Sequence, residues 1–338
     1  MSYEERVNLY RQVENIRGRP LLVYITSPRQ GGNGGQMGSD VIPEFCEQIS
    51  RISIKEKNID LLVVSQGGDP IVPWRIMGIL RERFKKIGFL VPYTAQSAAT
   101  ILAFGADEIL MHPYACLGPN DPQITDDSDP TRPPRVFSVE DLKCFTEFMS
   151  DLKISETDFG KDSLNYLTKV LDPLSIGAAK KSMKLSENLA SKLLLLHMKN
   201  EEKVDKIVEE YNNKAHHGYT ISRSEAKSAG LPIKYPSKDL EELMWNIWTN
   251  AEIDLKCRIP FHPKNIILSS RGSNPNVVIE ETEIAILESR NVKFACKVKA
   301  IIGVTAIPQQ VGVVPMPQSM GIAVDVVPLG WIKTESEN

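Results

Sequence analysis

The sequence predicts an α/β protein built on a parallel sheet, and three observations carry that prediction. Short β-branched runs alternate with longer amphipathic segments through about the first 125 residues, the pattern of strands joined by right-handed helical crossovers. The run Leu-Leu-Val-Val-Ser-Gln closes on Gly67-Gly68, and Ser97 stands just after the next strand and just before a helix. Both therefore fall beyond the carboxyl ends of strands, where open parallel sheets bind ligands.

The elements follow in order. Leu21 to Thr26 reads as a strand, and the glycine-rich stretch from Gly31 to Gly35 as a mobile loop. Asp40 to Ile52 reads as a helix and Ile59 to Ser65 as a strand. A helix over Ile71 to Lys86 places Ile76, Leu80 and Phe84 on one face. Gly88 to Tyr93 forms a strand, a helix begins near Ser97, and Glu108 to Met111 completes the series. A sheet of this kind is covered by helices on both faces.

After Gln123 the character changes. Asp126 to Pro134 is acidic and proline-rich, an expected exposed loop. Ser138 and Asp141 suggest an N-cap for a helix carrying Phe145, Phe148 and Met149. From Ser175 to Met198 the stripe Ala178, Ser182, Leu185, Leu189, Leu193, Leu196 has helical spacing, and Glu201 to Asn212 reads as another helix. Beyond Trp248 come short β runs: Asn265 to Ser269, Asn276 to Ile279, Lys293 to Ile302 and Met320 to Val327. The expected organisation is a domain over 1–248 and a β-rich C-terminal appendage over 249–338, of about 90 residues, large enough to pack on its own or at a subunit contact.

Composition excludes several function classes. A net charge of -3 argues against a nucleic-acid or anionic-membrane surface, which calls for basic excess. No apolar stretch approaches the ~18 residues needed to span a bilayer, and the first residues lack the apolar core of a secretory signal. Five scattered cysteines without a C-x-x-C pair favour reduced thiols in a cytoplasmic protein over disulfides or a zinc site. There is no nucleotide-binding or metal motif, so no cofactor is expected.

The chemistry-bearing residues are Gly67, Gly68 and Ser97. Two glycines after a strand leave backbone N–H groups open to close approach by an anion. A serine at a helix start sits at the positive dipole end. Together these are parts of an acyl-transfer site, a hydroxyl nucleophile with backbone donors for the oxyanion. Taken singly, Ser97 is equally a helix cap or a small packing residue, and Gly67-Gly68 a tight turn.

Several stretches occur together in an order that resembles the serine dehydrogenase proteinase family, relatives of the Clp proteolytic subunit and signal peptide peptidase A. They are Gln66 to Pro70, Val91 to Thr100, Gly105 to Pro113, Leu117 to Gln123, His217-Gly218-Tyr219 with Glu225-Ala226, and Gly230 to Pro232, spanning roughly residues 18 to 235. The resemblance implies a Clp/crotonase-like parallel sheet of repeated β-β-α and βαβ units flanked by helices. It also implies Ser97 as nucleophile, and an oxyanion hole of N–H groups at Gly67 or Gly68 and at Ala98. Peptide or protein substrates and assembly into trimers or larger rings are implied as well. Membrane-associated relatives begin with a transmembrane segment; its lack here favours the cytoplasm. The C-terminal region matches nothing in the family pattern.

What is missing is a base. The Clp subunit places a histidine early in the long helix after its nucleophile region; the corresponding stretch here, Gly177 to Ser182, carries lysines. Resemblance to Ser-Lys peptidases therefore suggests a dyad. Lys181 is the first choice, at the border of the expected buried stripe, with Lys180 and Lys184 as alternatives on a wetter face. Burial matters, because bringing a lysine from 10.4 to about 7 takes ~4 kcal/mol. A solvated helix lysine remains an open reading of Lys181. Asp69 and Asp121 are expected to fix loops or subunit contacts, and His112, His197, His216, His217 and His262 are poor bases by position. Two alternatives to an ATP-independent serine peptidase stay open: a crotonase-type acyl-CoA enzyme, for which no carboxylate base or adenine pocket stands out, and an inactive oligomeric scaffold, for which Ala98 leaves room because close relatives often carry glycine there.

Overall fold

The structure is a computed structural model describing residues 3–32, 34–127, 133–151, 161, 165–212, 218–270, 277–306 and 320–335. In chain order its elements begin with α1 (Tyr3–Arg17), β1 (Leu21–Thr26), α2 (Ile42–Ser50), β2 (Asn58–Val64), α3 (Ile71–Arg83) and β3 (Lys86–Val91). Next are β4 (Thr94–Ala95), α4 (Ala98–Phe104), β5 (Glu108–Met111), β6 (Cys116–Leu117), β7 (Gln123–Asp126), β8 (Arg135–Ser138) and α5 (Val139–Asp151). Then follow α6 (Pro173–Leu194), α7 (Glu201–Asn212), β9 (Ile221–Ser222), α8 (Arg223–Ser228), β10 (Ile233–Lys234) and α9 (Lys238–Asp254). The last are α10 (Pro263–Ser269), β11 (Val277–Glu288), β12 (Val292–Ala306) and β13 (Met320–Glu335). This is a mixed α/β protein, as its alternating pattern predicts.

The chain divides into two compact units, Met1–Ser65 with Pro236–Asn338, and Gln66–Tyr235. In the first, β1 pairs in parallel with β2, Leu21 opposite Asp60, and antiparallel with β11, Val23 opposite Glu288. Strands β12 and β13 extend that sheet antiparallel. The boundary expected at 248 does not coincide with this division, because the C-terminal strands share a sheet with β1. Composition separates those strands from the N-terminal segment, whereas backbone pairing joins them. A buried ion cluster ties the same segments: Arg6 on α1 reaches Glu288 at 2.6 Å and Asp254 at 2.6 Å, with Arg6 and Glu288 both fully buried.

Two further expectations change here. Residues 265–269 lie in a helix rather than a strand. Pro263 fits its first turn, where a missing N–H costs no hydrogen bond, and Ile267 turns into a core with Phe261, Ala300 and Ile302. The glycine-rich stretch is anchored at points along it: a Cβ on Gly31 would strike the Phe261 carbonyl, and one on Gly35 the Ile284 carbonyl, while Gly32 has nothing within 4 Å. Arg29, buried beside this loop, donates to the Ile259 carbonyl and pairs with Glu280.

In the second unit, β3 pairs in parallel with β5, and β5 in parallel with β10. A small sheet is formed by β4, β6 and β9, and a hairpin by β7 and β8. Helix α5 starts at the expected cap, where Ser138 N–H donates to Asp141 Oδ2 at 2.8 Å and Asp141 N–H to Ser138 Oγ at 3.2 Å. Helix α6 starts where Asp172 accepts from the N–H groups of Leu174 and Ser175. Its buried side carries Ala179, Met183, Ser186, Leu189, Ala190 and Leu193. Leu189 and Leu193 are buried as expected, but the first half of the stripe is rotated by about one residue from Ala178, Ser182 and Leu185, and Leu185 is 37% exposed. Residues 128–132 of the expected acidic loop lie outside the described residues, as do His216 and His217.

Candidate active site

The site is built on α4, whose seven residues, Ala98 to Phe104, are all buried. Its last carbonyls, left unpaired by the helix itself, are met by cationic and imidazole donors. Arg81 Nη2 donates to Gly105 O at 2.6 Å, and His197 Nε2–H donates to Phe104 O at 2.8 Å. Burial pushes the His197 imidazole below its ordinary value, so its neutral form makes that bond.

At the other end of α4 stands Ser97, half-buried, with φ 50° and ψ −121°. Among the described residues only Ser97 and Lys256 have positive φ without being glycine. Such a backbone costs about 1–3 kcal/mol and persists only where the surroundings hold it. Ser97 is not a helix cap in the usual sense, since its side chain makes no capping hydrogen bond. The chain instead makes a sharp strand-to-helix elbow at this residue, between β4 and α4.

Gly67 is buried against this turn with φ +107°. A Cβ there would lie 2.8 Å from Ser97 Cβ, 2.9 Å from Gln96 O and 3.1 Å from Ala98 N. The backbone after β2 thus touches the serine and the first N–H of α4, a donor that the helix leaves unpaired. Gly68 follows with φ +151°. Asp69 Oδ1 accepts the Ile71 N–H at 2.9 Å and leads the chain into α3, the loop-fixing role expected for it.

A third loop closes on the same turn. β4 pairs with β6, Ala95 opposite Leu117, which sets Gly118 against Gln96. Asn120, almost fully buried, donates through Nδ2 to Asn212 Oδ1 at 3.0 Å and accepts from Ser186 Oγ at 2.7 Å, fastening this loop to α6 and α7. The contacts of Gly118, Asn120 and Ser186 are not apparent from the sequence. Gly118 and Asn120 lie within the Leu117 to Gln123 stretch, but their partners are distant in sequence.

Lys180 and Lys184 lie on a wet face as expected, and Lys181 departs from the expectation. Lys180, Lys181 and Lys184 are all exposed on α6. The one-residue rotation of the buried stripe puts Ala179 and Met183 inward and turns Lys181 to solvent, so the burial that recommended it is not present in the single chain. The Nδ1 of buried His112 accepts the Tyr114 N–H, an occupied structural role.

Residues 43–133 match the family of ClpP-like SDH-type serine proteinases. The SDH-type match takes in Gly67, Gly68, Ser97 and Ala98 and ends before α6. An uncharacterized protein of Methanocaldococcus jannaschii is 27% identical over 234 residues, 68% of this chain and 73% of its own length. A second uncharacterized protein of that organism is 35% identical over 126 residues, 36% of this chain and 42% of its own. Among solved structures, the ClpP protease catalytic domain of Plasmodium falciparum is similar at a TM-score of 0.36, with 13% identity, over 70% of this chain and 93% of that one. A membrane-bound stomatin-specific protease gives 0.37 and 17%, over 67% and 83%. Superpositions this loose leave the fold to rest on the strand pairings themselves. Among the described residues, no helix is long and apolar enough to cross a membrane.

Proposed function

We propose that the protein is a serine peptidase in which Ser97 is the nucleophile and backbone N–H groups of Gly67 or Gly68 and of Ala98 form the oxyanion hole. The observation that carries this reading is the strained Ser97 backbone held against Gly67. Ser97 Oγ adds to the scissile carbonyl carbon as its proton passes to a base. The carbonyl oxygen becomes an oxyanion that the backbone donors stabilise, which is worth roughly 3–4 kcal/mol per donor in comparable sites. Collapse breaks the C–N bond, the amine leaves with the proton, and water then hydrolyses the acyl-serine.

The base is assigned to α6, with Lys181 as first candidate before Lys180 and Lys184. An exposed lysine needs desolvation before it can take a proton at neutral pH. The same side of α6 carries Leu174, 81% exposed, and Leu185 at the i+7 and i+11 spacing that includes Lys181. A homo-oligomer, trimer or larger, in which a second copy covers this face would supply the desolvation. In a labelling experiment with a fluorophosphonate probe, wild type reacts and Ser97→Ala does not; equal labelling of the two removes the nucleophile assignment. Lys181→Met should abolish peptide turnover while Lys180→Met and Lys184→Met retain it. Sedimentation should show an assembly; an active monomer contradicts the oligomer reading.

A further inference from the structure

Thr100 lies three residues beyond Ser97, in the first turn of α4, and is fully buried. Its hydroxyl oxygen is 2.7 Å from Ala95 O and 3.1 Å from Gly118 O, and it accepts the Gly118 N–H at 3.0 Å. A hydroxyl has one proton to give, and the shorter contact to Ala95 takes it. One oxygen atom therefore bonds the end of β4 on one side and the loop after β6 on the other. These are the segments that flank Gln96, Ser97 and Ala98. Gly118 is itself pressed on that turn, since a Cβ there would lie 2.9 Å from Gln96 Cβ and 3.1 Å from Gln96 Cα.

A helical threonine ordinarily bonds a carbonyl of its own preceding turn. Thr100 instead reaches back past the elbow to Ala95 and across to another loop. Ser97 is the residue in this region whose backbone needs external restraint. We propose that Thr100 is a positioning residue of the site, its hydroxyl clamping β4 to the Gly118 loop so that Ser97 is held with its Oγ ready for attack. This rests on the reading of Ser97 as the nucleophile.

The test is fluorophosphonate labelling kinetics of the full chain, with Thr100→Val, Thr100→Ser and Thr100→Cys, and a crystal structure of the valine variant. Valine keeps the shape and leaves the Ala95 carbonyl and Gly118 N–H buried without that partner. The limiting inactivation rate should fall about 10- to 100-fold, with the half-saturating probe concentration unchanged. Serine, which keeps the hydroxyl, should recover labelling to within about threefold of wild type. Wild-type rates for Thr100→Val, or a serine variant as slow as the valine one, would overturn the proposal. Should the valine variant not fold, Thr100→Cys takes its place in both the kinetics and the crystal structure, with slower labelling supporting the clamp and wild-type labelling overturning it. If wild type takes no probe at Ser97, the nucleophile reading fails separately. The clamp is then judged by Ser97 in the crystal structure, where a return to negative φ supports it and a retained positive φ overturns it.

Discussion

Gly67→Ala is the most informative single perturbation of this site. The added methyl would sit 2.8 Å from Ser97 Cβ, 2.9 Å from Gln96 O and 3.1 Å from Ala98 N. Relaxing the first contact from 2.8 Å to the ~3.5 Å optimum for carbon pairs moves the two segments apart by about 0.7 Å. The neighbours are backbone and a Cβ rather than the far end of a flexible side chain, so the shift falls on Ser97 and the Ala98 N–H together, the proposed nucleophile and oxyanion donor. Misplacement on the 1 Å scale costs roughly 10²-fold in rate, which sets the expected loss of labelling at about 10- to 100-fold. Holding alanine at φ +107° adds a backbone penalty of ~1–2 kcal/mol, and overpacking ~1–3 kcal/mol, for a total loss of stability of about 2–5 kcal/mol. Probe kinetics with urea denaturation measure both quantities. Labelling within twofold of wild type at unchanged stability would refute the close approach of Gly67 to Ser97. Gly78→Ala, in the interior of α3 with no atom within 4 Å of the new methyl, is the matched control and should stabilise by ~0.5–1 kcal/mol.

Other outcomes follow from the same contacts. Arg6→Met should cost ~3–5 kcal/mol in urea denaturation, because buried Glu288 loses its close cationic partner at 2.6 Å and keeps Lys293 at 3.9 Å; a loss under 1 kcal/mol would show the pair to be dispensable. Ser186→Ala should cost about 1–3 kcal/mol by removing a donor to buried Asn120, with no change expected if water replaces it. His197 binds its proton less readily in the folded protein than in the unfolded chain, so unfolding takes up a proton as pH falls below about 6.5. Stability should therefore fall on acidification through that window, by at most ~1.4 kcal/mol per pH unit from this group, and His197→Gln should flatten the profile. An identical slope in the variant would remove His197 as the source.

The fold was legible where local pattern and tertiary pairing agree. β5 over Glu108–Met111 and α7 over Glu201–Asn212 fall where periodicity puts them, and α6 is helical where its stripe suggests. Leu189 and Leu193 are buried as read, but the first half of the stripe is displaced by about one residue because Leu185 looks like a core residue, while Ala179 and Ser186 are small enough to pass for surface. That shift is enough to turn Lys181 outward, since neighbouring helix positions differ by about 100°. Residues 265–269 look β-branched and form a helix because packing against Phe261 overrides propensity. The pairing of β1 with β11 joins residues more than 250 positions apart and leaves no local trace. At the candidate site, Gly67, Gly68 and Ser97 announce themselves through residue type at strand ends. Thr100 and Asn120 each bond two other segments, Ala95 and Gly118 for Thr100 and the helices α6 and α7 for Asn120, which no spacing rule encodes.

The central claim is that Ser97 is a nucleophile, and covalent mapping tests it most directly. Wild type treated with a fluorophosphonate probe, digested and sequenced by mass spectrometry should carry the phosphonyl mass on Ser97, with folded Ser97→Ala unmodified. An adduct on another residue, or none on wild type that has assembled and folded, would contradict the account.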